Sequence, residues 1–126
     1  MCGFVSYKVK QFKGARVLWK VVRVDFDDVL LSGPNQGISI KVGRWKKAER
    51  LLKRDHDQFD REPEGNFFGF NVFRKREQAE EYRYRCGCNG GKIARVVAKG
   101  GYRNATTDEG VSCLLVEWIK ILEVFE

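Results

Sequence analysis

The four cysteines are the first residues whose spacing could support chemistry. Cys86 and Cys88 are separated by one glycine and could ligate zinc together with Cys113 and either Cys2 or His56. Structural zinc sites usually space such a pair by two to four residues and repeat the unit, which this chain does not do. The pattern therefore favours reduced thiols in or near the core. We predict no cofactor, with zinc on Cys86, Cys88 and Cys113 as the alternative.

The amino terminus allows a second kind of chemistry. Removal of Met1 would expose Cys2, whose own amine could act as the base in an N-terminal nucleophile hydrolase. The tripeptide Met1-Cys2-Gly3 resembles the start of class II glutamine amidotransferases. That family is longer, however, and its substrate motif of the Arg-Gly-Pro-Asp type is absent here. An N-terminal-Cys hydrolase is therefore a remote alternative to the binding functions that the charge pattern predicts below.

Other catalytic patterns have little support. His56 is the only histidine, and it lies in a charged stretch that is typical of a solvated surface. The segment Gly87 to Lys92 is one residue short of a phosphate-binding loop, and Ile93 follows where Ser or Thr is needed. A glycine-rich turn explains it better. We therefore predict no catalytic residues, and enzyme activity is unsupported by the sequence.

Positive charge is concentrated between residues 41 and 54. Trp45, Ala48, Leu51 and Leu52 recur at a spacing that predicts an amphipathic helix over Trp45 to Arg54. Seven cations lie within these fourteen residues, and the six from Arg44 onward would form a basic helix face. The seven are Lys41, Arg44, Lys46, Lys47, Arg50, Lys53 and Arg54. Such a face would attract phosphates through counterion release.

A second group of aromatic and basic residues occurs later in the chain. Tyr84, Arg85, Arg95 and Arg103 are candidate contacts there, because a sheet that displays Tyr and Arg can stack unpaired bases. The sequence therefore predicts a small basic domain that binds nucleic acid or another polyanion. A protein-interaction module is the alternative, for instance a phage-encoded inhibitor that binds an acidic surface on a host protein. A solvated basic helix balanced by the acidic stretch 55–64 is the third interpretation.

Composition limits the class of protein. The chain has 126 residues, 43% of them hydrophobic, and a formal net charge of +7. This length predicts a single domain over residues 1–126, and the hydrophobic fraction argues against global disorder. No apolar run reaches the roughly 20 residues of a membrane span, and no secretory signal is evident. We expect a cytoplasmic protein with no membrane association and an undetermined oligomeric state.

The elements that must position these residues are mostly strands. Alternation predicts strands over residues 4–12 and 38–42, and the continuously apolar, β-branched stretch 17–26 predicts a central strand with both faces partly covered. Further strands are predicted over 29–31, 66–73, 82–86 and 93–98. A second, short helix is predicted over Arg74 to Glu81, with Ala79 and Tyr82 turned inward. Loops are predicted at Gly100-Gly101 and over 104–110. The segment Val111 to Phe125 has the length of a helix but the β-branched content of a strand, and we predict a long strand with a bend.

The predicted fold is one α+β domain, a mostly antiparallel sheet with one basic amphipathic helix and one short helix. Its predicted core is Trp19, Val21, Val22, Val24, Phe68, Phe70, Val72, Val96, Leu115 and Ile119.

The order of motifs supports the β-rich prediction. A Lys-Val-Val-Arg strand at 20–23 precedes a Gly-Phe-Asn-Val-Phe strand at 69–73 and a short Ala-containing helix. A Gly-Tyr-Arg at 101–103 and a closing Ile-Lys-Ile-Leu at 119–122 follow. This order resembles small, largely uncharacterised bacterial and phage-encoded β-rich domains. The resemblance implies a fold but no activity and no functional residues.

Overall fold

The computed structural model describes residues 2–6, 8–25, 28–31, 39–48, 69–87 and 91–125. These residues form nine strands and one helix. In chain order they are β1 (Cys2–Val5), β2 (Lys10–Gln11), β3 (Arg16–Asp25), β4 (Asp28–Leu31), β5 (Ser39–Ile40), β6 (Trp45–Lys47), β7 (Phe70–Val72), α1 (Arg76–Arg85), β8 (Lys92–Thr107) and β9 (Ser112–Phe125).

All nine strands belong to one antiparallel sheet that curls into a half-barrel. The long β8–β9 hairpin is its axis. β3 pairs with the first half of β8, and β1 and β2 pair with its second half. β6 and β7 pair with β9, while β4 and β5 extend the sheet beyond β3. The mostly antiparallel α+β prediction is confirmed at this level.

The curl brings β3 and β7 together. Phe73, directly after β7, forms an isolated bridge with Trp19 of β3, in which both backbone amides donate at 2.9 and 2.7 Å. Backbone pairing therefore runs in a ring through β3, β8, β9 and β7. Beside the bridge, the Lys20 ammonium donates to the backbone oxygen of Asn71 at 2.9 Å and to its Oδ1 at 2.6 Å. The side chain of Lys20 thus supplies hydrogen bonds that the strands themselves do not make.

Two apolar cores lie on the two faces of the sheet. The inner core lies within the curl and includes Leu18, Val22, Phe70, Val96 and Ile119. The outer core lies under α1 and is built from Val21, Phe73, Ala79, Tyr82, Ile93, Ala105, Val111, Cys113 and Leu115. β3 contributes alternate residues to both cores, because successive side chains of a strand point to opposite faces. The prediction of a central strand here with both faces partly covered is confirmed.

The helix α1 begins after Lys75, whose backbone amide donates to Gln78 Oε1 at 3.2 Å. Ala79 and Tyr82 are buried, as predicted for the second helix. The predicted strand over 82–86 is wrong, because these residues continue the helix to Arg85. Gly87 follows with φ of +64°, a conformation that glycine adopts readily and that commonly ends helices.

The predicted helix over Trp45 to Arg54 is wrong where the structure describes it. Residues 45–47 form β6 and pair with β9 from Lys120 to Trp118. Residues 49–54 lie outside the described residues, as does the acidic stretch 55–64. The predicted loop at Gly100-Gly101 is also wrong, because β8 runs through it as far as Thr107 and only residues 108–110 turn.

Seven of the ten predicted core residues are buried: Val21, Val22, Phe70, Val72, Val96, Leu115 and Ile119. Trp19 is half-buried, Val24 is 43% exposed, and Phe68 lies outside the described residues. The long strand predicted over Val111 to Phe125 is confirmed as β9, which spans Ser112–Phe125. Within the part of the chain described, no helix is long and apolar enough to cross a membrane.

Candidate nucleic-acid interface

The outer face of the sheet beyond α1 is set by alternation in β8 and β9. Ala94, Val96 and Ala98 of β8 are buried in the inner core, so Arg95, Val97 and Lys99 point outward. In β9 the buried residues Ile119 and Ile121 alternate with Trp118 and Lys120 in the same way. This part of the face therefore displays cations and an indole ring to solvent.

β6 completes the pattern at the edge of the sheet. Trp45 is paired with Lys120, and Lys47 is paired with Trp118, which in turn is paired with Lys99 of β8. Tryptophan and lysine thus alternate both along and across the strands. We call this surface the tryptophan–lysine face, and its members are Trp45, Lys47, Lys99, Trp118 and Lys120.

The ammonium groups of this face lie over the indole rings. Lys99 Nζ is 4.2 Å from the Trp45 ring centroid and 5.1 Å from that of Trp118. Lys120 Nζ is 5.0 Å from the Trp45 centroid, and Lys47 Nζ is 5.5 Å from that of Trp118. Such cation–π contacts contribute about 0.5–1 kcal/mol each when exposed. Both rings and their cations are therefore held in place while remaining partly open to solvent.

Little negative charge opposes these lysines. Glu117 Oε2 lies 3.8 Å from Lys47 Nζ, and the side chains of Lys47 and Glu117 are 42% and 16% exposed, so one of the three lysines is partly neutralised. Lys99 and Lys120 make no ion pair with any residue that the structure describes. The face therefore carries a net positive charge.

A second aromatic cluster adjoins the tryptophan–lysine face near α1. Arg76 of the helix lies over the rings of Trp19 and Phe125, at 5.6 and 4.7 Å from their centroids. Trp19 of β3 is paired with Arg95 of β8, and the Arg95 guanidinium forms an ion pair with Glu123 at 3.2 Å. Because Arg76 covers Trp19 and Glu123 neutralises Arg95, this cluster is less available to an anion than the tryptophan–lysine face.

The predicted contact residues are dispersed over the molecule. Lys47 and Arg95 lie on the outer face just described. Lys41, Arg44 and Lys46 are exposed around β6, but Lys46 points away from the tryptophan–lysine face because it alternates with Lys47. Arg50, Lys53 and Arg54 lie outside the described residues.

The other predicted contacts from the later part of the chain also lie away from the tryptophan–lysine face. Tyr84 is 87% exposed on α1, and Arg85 is bound to Glu81 at 2.6 Å and to the carbonyl of Glu109 at 2.9 Å. These two residues therefore lie near the β8–β9 turn, whereas the tryptophan–lysine face lies around β6. Arg103 is only 1% exposed, so its prediction as a surface contact does not agree with its burial.

The sequence interpretation missed Trp45, Trp118 and Lys120 as site residues. Part of their signal was the period of two in residues 118–121, where Trp118 and Lys120 alternate with Ile119 and Ile121. That period becomes a site only through strand pairing, because Trp45 is more than 70 positions from Trp118 in the chain.

The candidate zinc ligands differ in chemical state. Cys86 is disulfide-bonded, which corrects its prediction as a reduced thiol, whereas Cys113 is a reduced thiol buried in the outer core. Cys88 and His56 lie outside the described residues. Across the described ranges, no three His, Cys, Asp or Glu residues are grouped so that they could hold a metal ion.

No family model, curated protein or solved structure matches this chain. The resemblance to small bacterial and phage-encoded domains stays a prediction.

Proposed function

We propose that the protein binds single-stranded nucleic acid through the tryptophan–lysine face. The alternation of half-exposed indole rings with ammonium groups, of which only Lys47 has an acidic partner among the described residues, carries this proposal. Single strands present the two complementary groups in the same alternation, namely bases with flat apolar faces and phosphates with negative charge.

The free energies of the contacts favour replacing the cation–π contacts within the protein by contacts with a single-stranded nucleic acid. A base stacked on an aromatic side chain contributes about 1–3 kcal/mol, whereas an exposed cation–π contact contributes about 0.5–1 kcal/mol. A lysine displaced from an indole ring by a base would remain close enough to contact the adjoining phosphate. Binding would therefore replace weak contacts within the protein with stacking and charge neutralisation.

Unpaired strands suit this face better than duplexes do. The bases of a duplex are stacked on one another, so their faces are closed to Trp45 and Trp118. A duplex could use only the three lysines and would lose the stacking contribution. We therefore expect single-stranded oligonucleotides to bind more tightly than duplexes of equal length.

Fluorescence anisotropy with a labelled oligo(dT) and its duplex tests this proposal. With three lysines on three phosphates, the slope of log K against log salt is expected to be about −2. Affinity should then fall about 20-fold between 50 and 200 mM salt. The double variant Trp45→Leu, Trp118→Leu should reduce the preference for the single strand while keeping most of the salt slope.

The alternative partner is an acidic protein surface. The same anisotropy measurement distinguishes this partner from single-stranded nucleic acid. A protein-interaction module should not bind oligo(dT) at low salt. Equal affinity for single and double strands would also contradict the proposal, because it would show that the indole rings contribute nothing.

A further inference from the structure

A cleft of about 380 Å³ lies on the other side of the sheet, between the β2–β3 turn and β8. Its volume is within the range of small-molecule sites, roughly 300–1,000 Å³. The lining residues are Gln11, Phe12, Lys13, Gly14, Ala15, Arg16 and Tyr102.

The wall of the cleft is aromatic and firmly anchored. Phe12 and Tyr102 are stacked with ring centroids 4.3 Å apart and an angle of 24° between the rings. Both rings pack against the inner core, and the Phe12 amide donates to the Gly100 carbonyl at 3.0 Å. A planar ligand would therefore meet a preformed apolar wall, which lowers the entropy cost of binding.

The rim of the cleft is cationic. Lys13 and Arg16 are exposed, and among the residues that the structure describes neither has an ion-pair partner and none that lines the cleft is acidic. Gly14, between them, has open space around the position where a Cβ would stand, so the backbone of the turn is accessible. Guanidinium and ammonium groups next to an accessible backbone are suited to a phosphate.

We propose that this cleft binds a nucleoside monophosphate. The base lies against Phe12 and Tyr102, and the phosphate is contacted by Lys13 and Arg16. The site is independent of the tryptophan–lysine face, because Phe12 and Tyr102 pack on the inner core whereas Trp45 and Trp118 lie on the outer face. The proposal therefore does not rest on the proposed binding of single strands.

Titration of the full chain with AMP, followed by ¹H NMR of the Tyr102 ring and by calorimetry, tests the cleft. We expect saturable shifts of the Tyr102 signals and a Kd below about 1 mM. The double variant Lys13→Glu, Arg16→Glu should weaken AMP binding at least ~10-fold, since each charged hydrogen bond contributes about as much as a tenfold change in affinity. Both positions are exposed, so the fold should be retained.

Matched controls separate a specific site from general attraction. The double variant Lys41→Glu, Lys75→Glu changes the net charge equally at exposed positions outside the cleft, and it should change AMP affinity less than about threefold. The double variant Lys99→Glu, Lys120→Glu should likewise leave AMP binding intact while weakening oligo(dT) binding. Three outcomes would overturn the proposal: no saturable Tyr102 shift, equal losses in the cleft and control variants, or inorganic phosphate binding as tightly as AMP.

Discussion

Lys99 and Trp45 lie on strands β8 and β6, with β9 between them, yet the Lys99 ammonium is 4.2 Å from the Trp45 ring centroid. The same ammonium is 5.1 Å from Trp118 on the intervening strand. One flexible side chain therefore connects three neighbouring strands across the outer face.

Replacing Lys99 by Met keeps the aliphatic stem but removes the charge. We expect the free energy of unfolding to fall by about 1–2 kcal/mol, because two cation–π contacts of about 0.5–1 kcal/mol each are lost. Tryptophan emission should shift as the environment of Trp45 and Trp118 changes. Urea unfolding followed by fluorescence measures both effects. Lys46→Met is the control, and an equal loss there would show that Lys99 contributes nothing through the rings.

Removing the charge of the buried Lys20 should lower the free energy of unfolding much more than removing that of Lys99. The Lys20 ammonium, 0% exposed, holds the backbone and side-chain oxygens of Asn71 where β3 and β7 meet. Lys20→Met leaves these buried acceptors without that donor, and we expect a loss of about 2–4 kcal/mol in the free energy of unfolding. Urea unfolding of this variant and of the exposed control Lys10→Met gives the comparison. A loss below about 1 kcal/mol in Lys20→Met would contradict this account of the β3–β7 contact.

Gly69 allows β7 to approach β9 closely. It has φ of +81°, and a Cβ at this position would stand 2.6 Å from Leu115 Cβ. Gly43 has a similar φ of +85° but open space around it. We expect Gly43→Ala to cost about 1–2 kcal/mol for its backbone conformation alone, and Gly69→Ala to cost at least ~1 kcal/mol more because of the overlap. Equal unfolding midpoints for the two variants would show that the approach to Leu115 is not tight.

Variants of Lys46 and Lys47 distinguish the observed strand β6 from the helix that the sequence predicted at these residues. Both are exposed, but they point to opposite faces of β6. Lys47→Glu should weaken oligo(dT) binding about 5- to 20-fold and reduce the salt slope by about 1, because it reverses a charge on the tryptophan–lysine face. Lys46→Glu makes the same change in net charge and should have a much smaller effect in the same anisotropy titration. Equal effects would indicate attraction by net charge alone.

The sequence predicted elements well where local pattern and burial agree. Val17 to Phe26 and Val111 to Phe125 have the β-branched content that suits paired strands, and Ala79 with Tyr82 marks the buried side of α1. The prediction of a helix over residues 45–47 is wrong because the spacing of Trp45 and Ala48 fits a helix as well as a strand. Pairing with β9 decides the outcome, and a local pattern does not contain that information.

The sequence predicted the types of residue at the site, cationic and aromatic, but not which of them lie together. A cationic and aromatic surface was expected, and Lys47 and Arg95 lie on the observed one. Trp45 was assigned to the apolar side of a helix, which would have buried the ring that β6 instead displays. The glycines at 100–101 suggested a loop, yet they lie at an irregularity within β8 between Lys99 and Tyr102. Bulges of this kind depend on the partner strand, so the sequence of one strand cannot place them.

Tryptophan fluorescence during titration with unlabelled oligo(dT) tests the central claim most directly. The chain has three tryptophans, so three variants that each retain one indole and carry Phe at the other two positions report each ring separately. We expect quenching of Trp45 and Trp118, because bases stack on them, and little change at Trp19, which Arg76 covers. Absence of quenching at Trp45 and Trp118, or equal quenching at all three positions, would contradict the tryptophan–lysine face as the binding surface.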